Sequence, residues 1–461
     1  MKRKLLNSIA LVSLIAVILI GGNSCNFSKV KGSKMDSIAG QVKHADWTKN
    51  LSIYEINVRQ FSDEGTFVAI EKELPRLKAL GTDILWIMPI HPIGALNRKG
   101  GLGSYYSVKD YLAVNPDYGT QIDFMRLVKK AHELGMYVII DWVANHSAWD
   151  NALVTEHADW YVKDSATGNL VSPFDWTDVV KFNYNNKEMR RYMLGALKYW
   201  ITNCDIDGYR CDVAGEVPID FWMDARKSLD SLKPVFMLAE AESPELHKAF
   251  DMTYAWEFHH IMNKIHKKEA SANDIEKYLL KNDSLYSSAA YRMNFITNHD
   301  ENSWNGTEFE RLGDGVKAFY VLTATVPGMP LIYTGQESAL NKRLLFFEKD
   351  SIDWGNYPMA DFYKTLLGLK KDNPALFNGK FGGNWLRIHT TDDANVFALL
   401  RTKDKNKVLS VVNLSDKPLD ITLQGSDYAG DFTELFTGEK SDLKGETKLS
   451  LPAWGYSVYF K

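Results

Sequence analysis

The sequence predicts an α/β fold: a (β/α)8 TIM barrel with a short inserted subdomain after its third strand and a C-terminal antiparallel β-sandwich. Three observations predict it. From residue 51 onward, apolar strand-like runs alternate with amphipathic helical stretches, the pattern of a parallel sheet closed on itself. An irregular, aromatic stretch at 147–182 interrupts that alternation after the third strand. Beyond about residue 377 helical periodicity stops, and short strand-like segments separated by turn residues follow.

The elements run in this order. Lys2, Arg3 and Lys4 form a charged head, and residues 5–20 are an apolar run broken only by Asn7, Ser8 and Ser13. A membrane-spanning helix needs about 20 apolar residues, so residues 1–24 read as a signal peptide. Gly21, Gly22 and Ser24 lead to Cys25. A small residue directly before a cysteine resembles a bacterial lipoprotein cleavage site. The match is loose, since an aliphatic residue is usual where Gly22 stands. Cys25 is therefore the expected lipid attachment, and residues 25–46 the expected tether. The protein is expected to be exported and membrane-anchored, facing the periplasm or the cell surface.

The barrel is expected in two parts, 47–146 and 183–376, around the insert. Strands are expected at 52–61, 83–90, 137–143, 208–214, 235–240, 252–256, 292–298 and 330–334. Between the first three lie helices at 67–80 and 121–134, each closed by a glycine, Gly81 and Gly135. The last domain, 377–461, is expected to hold strands at 396–401, 408–413 and 456–460.

Composition narrows the function. The chain has 45% hydrophobic and 24% charged residues, a globular profile, and a net charge of -4 with no basic tract, which argues against a nucleic-acid partner. Its 13 Trp and 22 Tyr suit a carbohydrate site, although most such rings pack cores. After Cys25 only Cys204 and Cys211 remain, with neither disulfide nor zinc spacing. Both read as buried free thiols, with Cys211 pointing outward into the helix layer.

In such barrels the active site lies at the carboxyl ends of the strands. There the chain places Asp141, Asn145 and His146; Arg210 and Asp212; Glu240; and Asn298, His299 and Asp300. Glycoside cleavage with retention needs one ionised carboxylate to attack the anomeric carbon and one protonated carboxyl for the leaving oxygen. Residues two apart on a strand share a face, so Arg210 and Asp212 point together into the barrel. The guanidinium favours an ionised Asp212, the nucleophile. Glu240 follows an apolar strand, where burial would raise its pKa and suit an acid. Asp300, His299 and His146 can hold sugar hydroxyls. Trp142 faces away from Asp141 and reads as core. Trp304 reads equally as a sugar platform or as packing. His259 and His260 read as a solvated helix start.

Together these four segments resemble the conserved regions of the α-amylase family of glycoside hydrolases, in order and on the matching strands. GYRCD, ending at Asp212, is similar to the family's G-x-R-x-D region, and ITNHD, ending at Asp300, to its NHD region. Tyr106, in YYSVKDYLAVNPDYGT, is similar to the Tyr that stacks under the sugar beside the cleaved bond. The resemblance covers residues 50–460. It implies hydrolysis of α-1,4-glucosidic bonds in starch, maltodextrin or related α-glucans, with Asp212, Glu240 and Asp300 catalytic. It also implies substrate contacts from Tyr106, His146, Arg210, His299 and Trp304.

Two departures bear on subtype. Many α-amylases carry Lys-His after the nucleophile motif; here Val213, Ala214, Gly215 and Glu216 follow Asp212, resembling neopullulanases and cyclomaltodextrinases. The long N-terminal domain with which those enzymes dimerise is not expected here. A glucanotransferase is a further alternative. Non-enzyme alternatives are an ancillary transporter subunit and a glucan-binding lipoprotein, against which the intact carboxylates argue. Calcium-binding members use the Asn matched by Asn145 and an Asp where this chain has Lys181. An ammonium has no lone pair for a hard cation, so no calcium is expected there and no cofactor is required, while calcium at a different site stays open. The partners expected are an α-glucan and, only through the lipid anchor, a membrane.

Overall fold

The computed structural model describes residues 42–461. The expected signal peptide, Cys25 and most of the tether lie outside the described residues. Among the described residues, no helix is long and apolar enough to cross a membrane.

Eight parallel strands close a barrel in chain order. They are β1 (Ile53–Ile56), β2 (Ile84–Ile87), β3 (Tyr137–Trp142), β4 (Gly208–Cys211), β5 (Phe236–Ala239), β6 (Met252–Tyr254), β7 (Tyr291–Asn294) and β8 (Met329–Tyr333). Seven of the eight strands are shorter than the runs that predicted them, and the last, Met329–Tyr333, is shifted by one residue at equal length. The first departs most: Val58–Phe61 is a turn of α-helix. Barrel pairing ends where the backbone bends out over the mouth, and apolar patterning does not mark that point. The helices Phe67–Leu80 and Gln121–Glu133 carry the expected stops, with Gly81 left-handed at φ 97°. Thr120 and Asp123 form a reciprocal cap at the second helix start.

Alternation along the strands sorts side chains into two layers. Ile53, Ile84, Ile139, Phe236, Leu238 and Met252 fill the barrel interior. Tyr54, Leu85, Val138, Tyr209 and Cys211 face the helices. Cys204 and Cys211 are both buried and free, and Trp142 lies in the outer layer. Gly208 opens β4 because a Cβ there would lie 1.8 Å from the Phe236 carbonyl oxygen. No side chain fits between those strands.

His259 corrects its reading. The helix Trp256–His266 leaves His260 exposed but buries His259, which stacks on Phe295 with ring centroids 4.7 Å apart and sets Nε2 3.2 Å from Glu301. Adjacent helical residues point about 100° apart, so only one of the pair can face solvent.

The chain reaches the barrel at its lower end, where the strands begin. Trp47 stacks on Tyr137, the first residue of β3, with ring centroids 3.9 Å apart. His44 Nδ1 lies 2.7 Å from Asp251, which also pairs with Arg226 at 2.6 Å. Over the opposite end, the insert is anchored by His146–Ala148 pairing antiparallel with Val179–Lys181. The C-terminal domain has a six-stranded antiparallel sheet and a two-stranded one, Leu419–Thr422 with Lys448–Leu451. Their inner faces share a core that includes Val396, Leu409, Ile421, Phe432 and Leu451.

Candidate active site

The uppermost interior layer is polar, and Arg210 organises it. Fully buried, its guanidinium sets Nη1 2.8 Å from Asp141 and 3.2 Å from Asp212, and Nη2 2.9 Å from Glu240. The Trp86 ring lies beneath, with its centroid 5.0 Å from the guanidinium carbon. Asp141 is held by two further donors, Trp86 Nε1 and the Tyr106 hydroxyl, each at 3.1 Å. Burial raises its pKa, Arg210 and His299 oppose the rise, and the carboxyl fixes the arginine and the tyrosine.

Glu240 follows β5 directly, and its Oε2 accepts the Val213 backbone N–H at 2.8 Å. Presenting that N–H places Val213 at φ 35°, ψ 48°, a conformation that branched side chains rarely adopt. Local strain next to reacting groups is where such outliers gather.

His299 joins the two sides of the site. Its Nδ1 lies 2.5 Å from Glu55, its Nε2 2.7 Å from the Tyr106 hydroxyl and 3.4 Å from Asp300. Burial works against its charge, but the Asp300 and Glu55 carboxylates outweigh it and push the pKa up to about 9. With both ring nitrogens protonated, His299 donates to Glu55 and to Tyr106, whose hydroxyl donates on to Asp141. His146, by contrast, is driven down to about 3 by burial, with the Lys181 charge adding to the fall, and stays neutral.

The carboxyls of Asp212 and Glu240 are both held above their ordinary range. For Asp212 the causes are burial and then the Glu240 charge, opposed by Arg210. For Glu240, burial acts first, Arg210 opposes it, and the Asp300 charge adds to it. Two cations, Arg210 and His299, face a surplus of carboxylates, so the site keeps a proton among them.

These groups floor a cleft of about 390 Å³ at the barrel mouth. Asp212, Glu240, Asp300, Tyr106, His146 and His299 all line it. Arg210 lies just below. Trp304, 52% exposed, is at the rim with its ring 5.1 Å from Phe346. Sequence reading missed Glu55, Phe346 and Phe347, and the pair Lys99–Asp178. Glu55 left a signal, a carboxylate inside the apolar strand IYEI and in register with Trp86. Phe346 and Phe347 left none, because they sit in a loop without periodicity.

Where the family's calcium ligand would be, Lys181 Nζ lies 3.4 Å from Glu216 Oε2. An ammonium already paired with a carboxylate does not fit a calcium site.

Comparison with known proteins identifies the family and the fold. Residues 27–373 match the model for the α-amylase catalytic domain, and residues 386–458 the model for the maltogenic amylase C-terminal domain. A noncanonic maltogenic α-amylase from Thermotoga neapolitana is 30% identical and superposes with a TM-score of 0.82, over 89% of this chain and 98% of that one. An α-amylase of Haloarcula japonica is 27% identical over 90% of this chain, which spans 62% of that protein. A cyclomaltodextrinase of Geobacillus thermopakistaniensis is 25% identical over 86% of this chain and 70% of its own length.

Proposed function

Because the chain belongs to the α-amylase family of glycoside hydrolases, we propose that it hydrolyses α-1,4-glucosidic bonds of starch, maltodextrin or related α-glucans, with retention of anomeric configuration. The observation that carries this reading is the single buried guanidinium of Arg210 shared by Asp212 and Glu240. One fork holding both carboxyls favours the shorter separation of about 5–5.5 Å that retaining pairs use.

The steps follow from the placement. Burial raises both carboxyls, Asp212 the further, and a glycosidic oxygen seated beside Glu240 draws the shared proton to Glu240, which gives it to that oxygen. Once Glu240 is neutral, the charge that most opposed ionisation of Asp212 is gone, and Arg210 keeps Asp212 anionic. Asp212 then attacks the anomeric carbon as the C–O bond breaks, forming a glycosyl ester. Glu240, now a carboxylate, takes a proton from water, which displaces Asp212 and regenerates the pair. Asp300, His299 and Tyr106 grip the sugar in the bound state, and Trp304 offers an exposed ring at the rim.

Two inversions return the α-anomer. Proton NMR of freshly released maltose or glucose, recorded before mutarotation, is expected to show α first. If β appears first, the nucleophile and acid assignments fall together.

A second reading, a neopullulanase or cyclomaltodextrinase, is favoured by Val213–Glu216 standing where many α-amylases carry Lys-His. A product profile on amylose, pullulan and cyclodextrin separates the two. Preferential turnover of cyclodextrin or pullulan would select the second.

Two features complete the proposal. Lys181, paired with Glu216, replaces calcium at the Asn145 position. The charged head, apolar run and Cys25 support export and acylation, and mass analysis of membrane-purified protein should find a modified Cys25 as first residue. An unacylated terminus elsewhere would remove the anchor.

A further inference from the structure

We propose that Lys99 and Asp178 form an end stop that closes one end of the cleft, so that only a short saccharide fits on the retained side of the cleaved bond; this rests on the glucan-hydrolase reading above. The observation is a run of contacts along one side of the mouth, from the segment after β7 to the insert after β3. It starts after β7 with Trp304, whose ring meets Phe346 at 5.1 Å, and Phe346 meets Phe347 at the same distance. The segment after β8 is then sewn to the loop after β2. The Leu102 N–H donates to the Phe347 carbonyl at 2.9 Å, and the Gly101 N–H to Glu348 Oε1 at 2.5 Å. The approach is so close that a Cβ on Gly100 would lie 2.4 Å from the Phe347 Cβ. From that loop Lys99 reaches across to the insert after β3, Nζ to Asp178 Oδ1 at 3.2 Å.

Asp178 is a fixed post. Its side chain is 6% exposed, and its carbonyl accepts the Ser107 hydroxyl at 3.1 Å. Lys99 and Asp178 both line the cleft. On the other half of the mouth, after β4 and β5, the cleft lining among the described residues is Asp212, Val213 and Glu240 alone.

Chemistry says which end is shut. The acid must sit beside the leaving oxygen, so the leaving chain runs out past Glu240, on the other side. The sugar that Asp212 captures lies toward Tyr106 and His299, and whatever precedes it in the glucan meets that run of contacts. An arm closed in this way takes chains from the non-reducing end and releases short products.

The test compares maltoheptaose with a maltoheptaoside blocked at its non-reducing end, with products separated early in the reaction. The wild-type protein is expected to prefer the unblocked substrate by about tenfold or more, the discrimination a shaped pocket gives, and to release a short saccharide first. Lys99→Ala should shrink that preference and lengthen the first product. The double exchange Lys99→Asp with Asp178→Lys should restore both, and the blocked-to-unblocked ratio is a readout that a change in general stability would not move. Equal cleavage of blocked and unblocked substrates by the wild type would overturn the end stop. So would an unchanged preference in Lys99→Ala. If neither substrate is cleaved, the glucan-hydrolase reading fails first and takes the end stop with it.

Discussion

Arg210 touches three carboxylates at once, so exchanging any one of them reports on the others. Asp212→Asn is expected to lose nearly all hydrolysis while the fold persists, because covalent attack needs that carboxylate; near-normal turnover would sink the nucleophile. Glu240→Gln should cost about 10²–10⁴-fold on maltooligosaccharides, the usual worth of a general acid. On aryl glycosides with good leaving groups it should cost far less, and equal losses on both would remove Glu240 from the acid role. His299 sets an alkaline limit. Its folded pKa of about 9 lies above the unfolded value of about 6.5. The stability it contributes is complete below the unfolded value and lost as pH rises through about 9. Glu55→Gln removes one carboxylate holding that charge, so the alkaline fall in stability, read as urea midpoint against pH, should move to lower pH. A fall that stays put would detach His299 from it. Glu55 was missed although it left a signal, a lone carboxylate inside an apolar strand. The ring pair Phe346–Phe347 left none, since nothing local distinguishes a rim aromatic from a packed one.

At the scale of elements, the turn after β4 links strain to orientation. Val213 in the left-handed region costs roughly 1–2 kcal/mol, and its N–H aims Glu240. Val213→Gly should relieve that cost, offset in part by about 0.5–1 kcal/mol of extra chain entropy in the unfolded state. The urea midpoint should then hold or rise while kcat falls, as the acid loses a fixed donor. A clear drop in the midpoint would mean that the valine side chain contributes more by packing than the turn costs. The strands themselves were legible because interior and helix-facing residues alternate without exception along GYRC and IYEI. Their ends were not: pairing stops where the wall curves outward, and apolar runs continue past that point. His260 was read rightly as solvated and His259 was not, because a dipeptide carries no information on which neighbour faces the barrel.

Over the whole molecule, the site is assembled from segments nearly two hundred residues apart, such as Tyr106 and His299. The order of strand-end motifs made that convergence legible, whereas the loops that meet above it depend on contacts no single segment encodes. The Lys181–Glu216 pair yields a global prediction. With an ammonium in place of a ligand, Tm should barely move on adding a strong chelator, because removing an ion destabilises only a protein that binds it. A large fall reversed by calcium would require a different ion site. The chain's docking at the lower end, through His44 on Asp251 and Trp47 on Tyr137, has a practical consequence. The handle and the working edge are at opposite poles. A bead, a fused domain or a surface joined ahead of residue 42 grips the protein from behind and leaves the opening turned toward bulk solvent. A granule too large to diffuse can therefore be presented to the immobilised protein face-on.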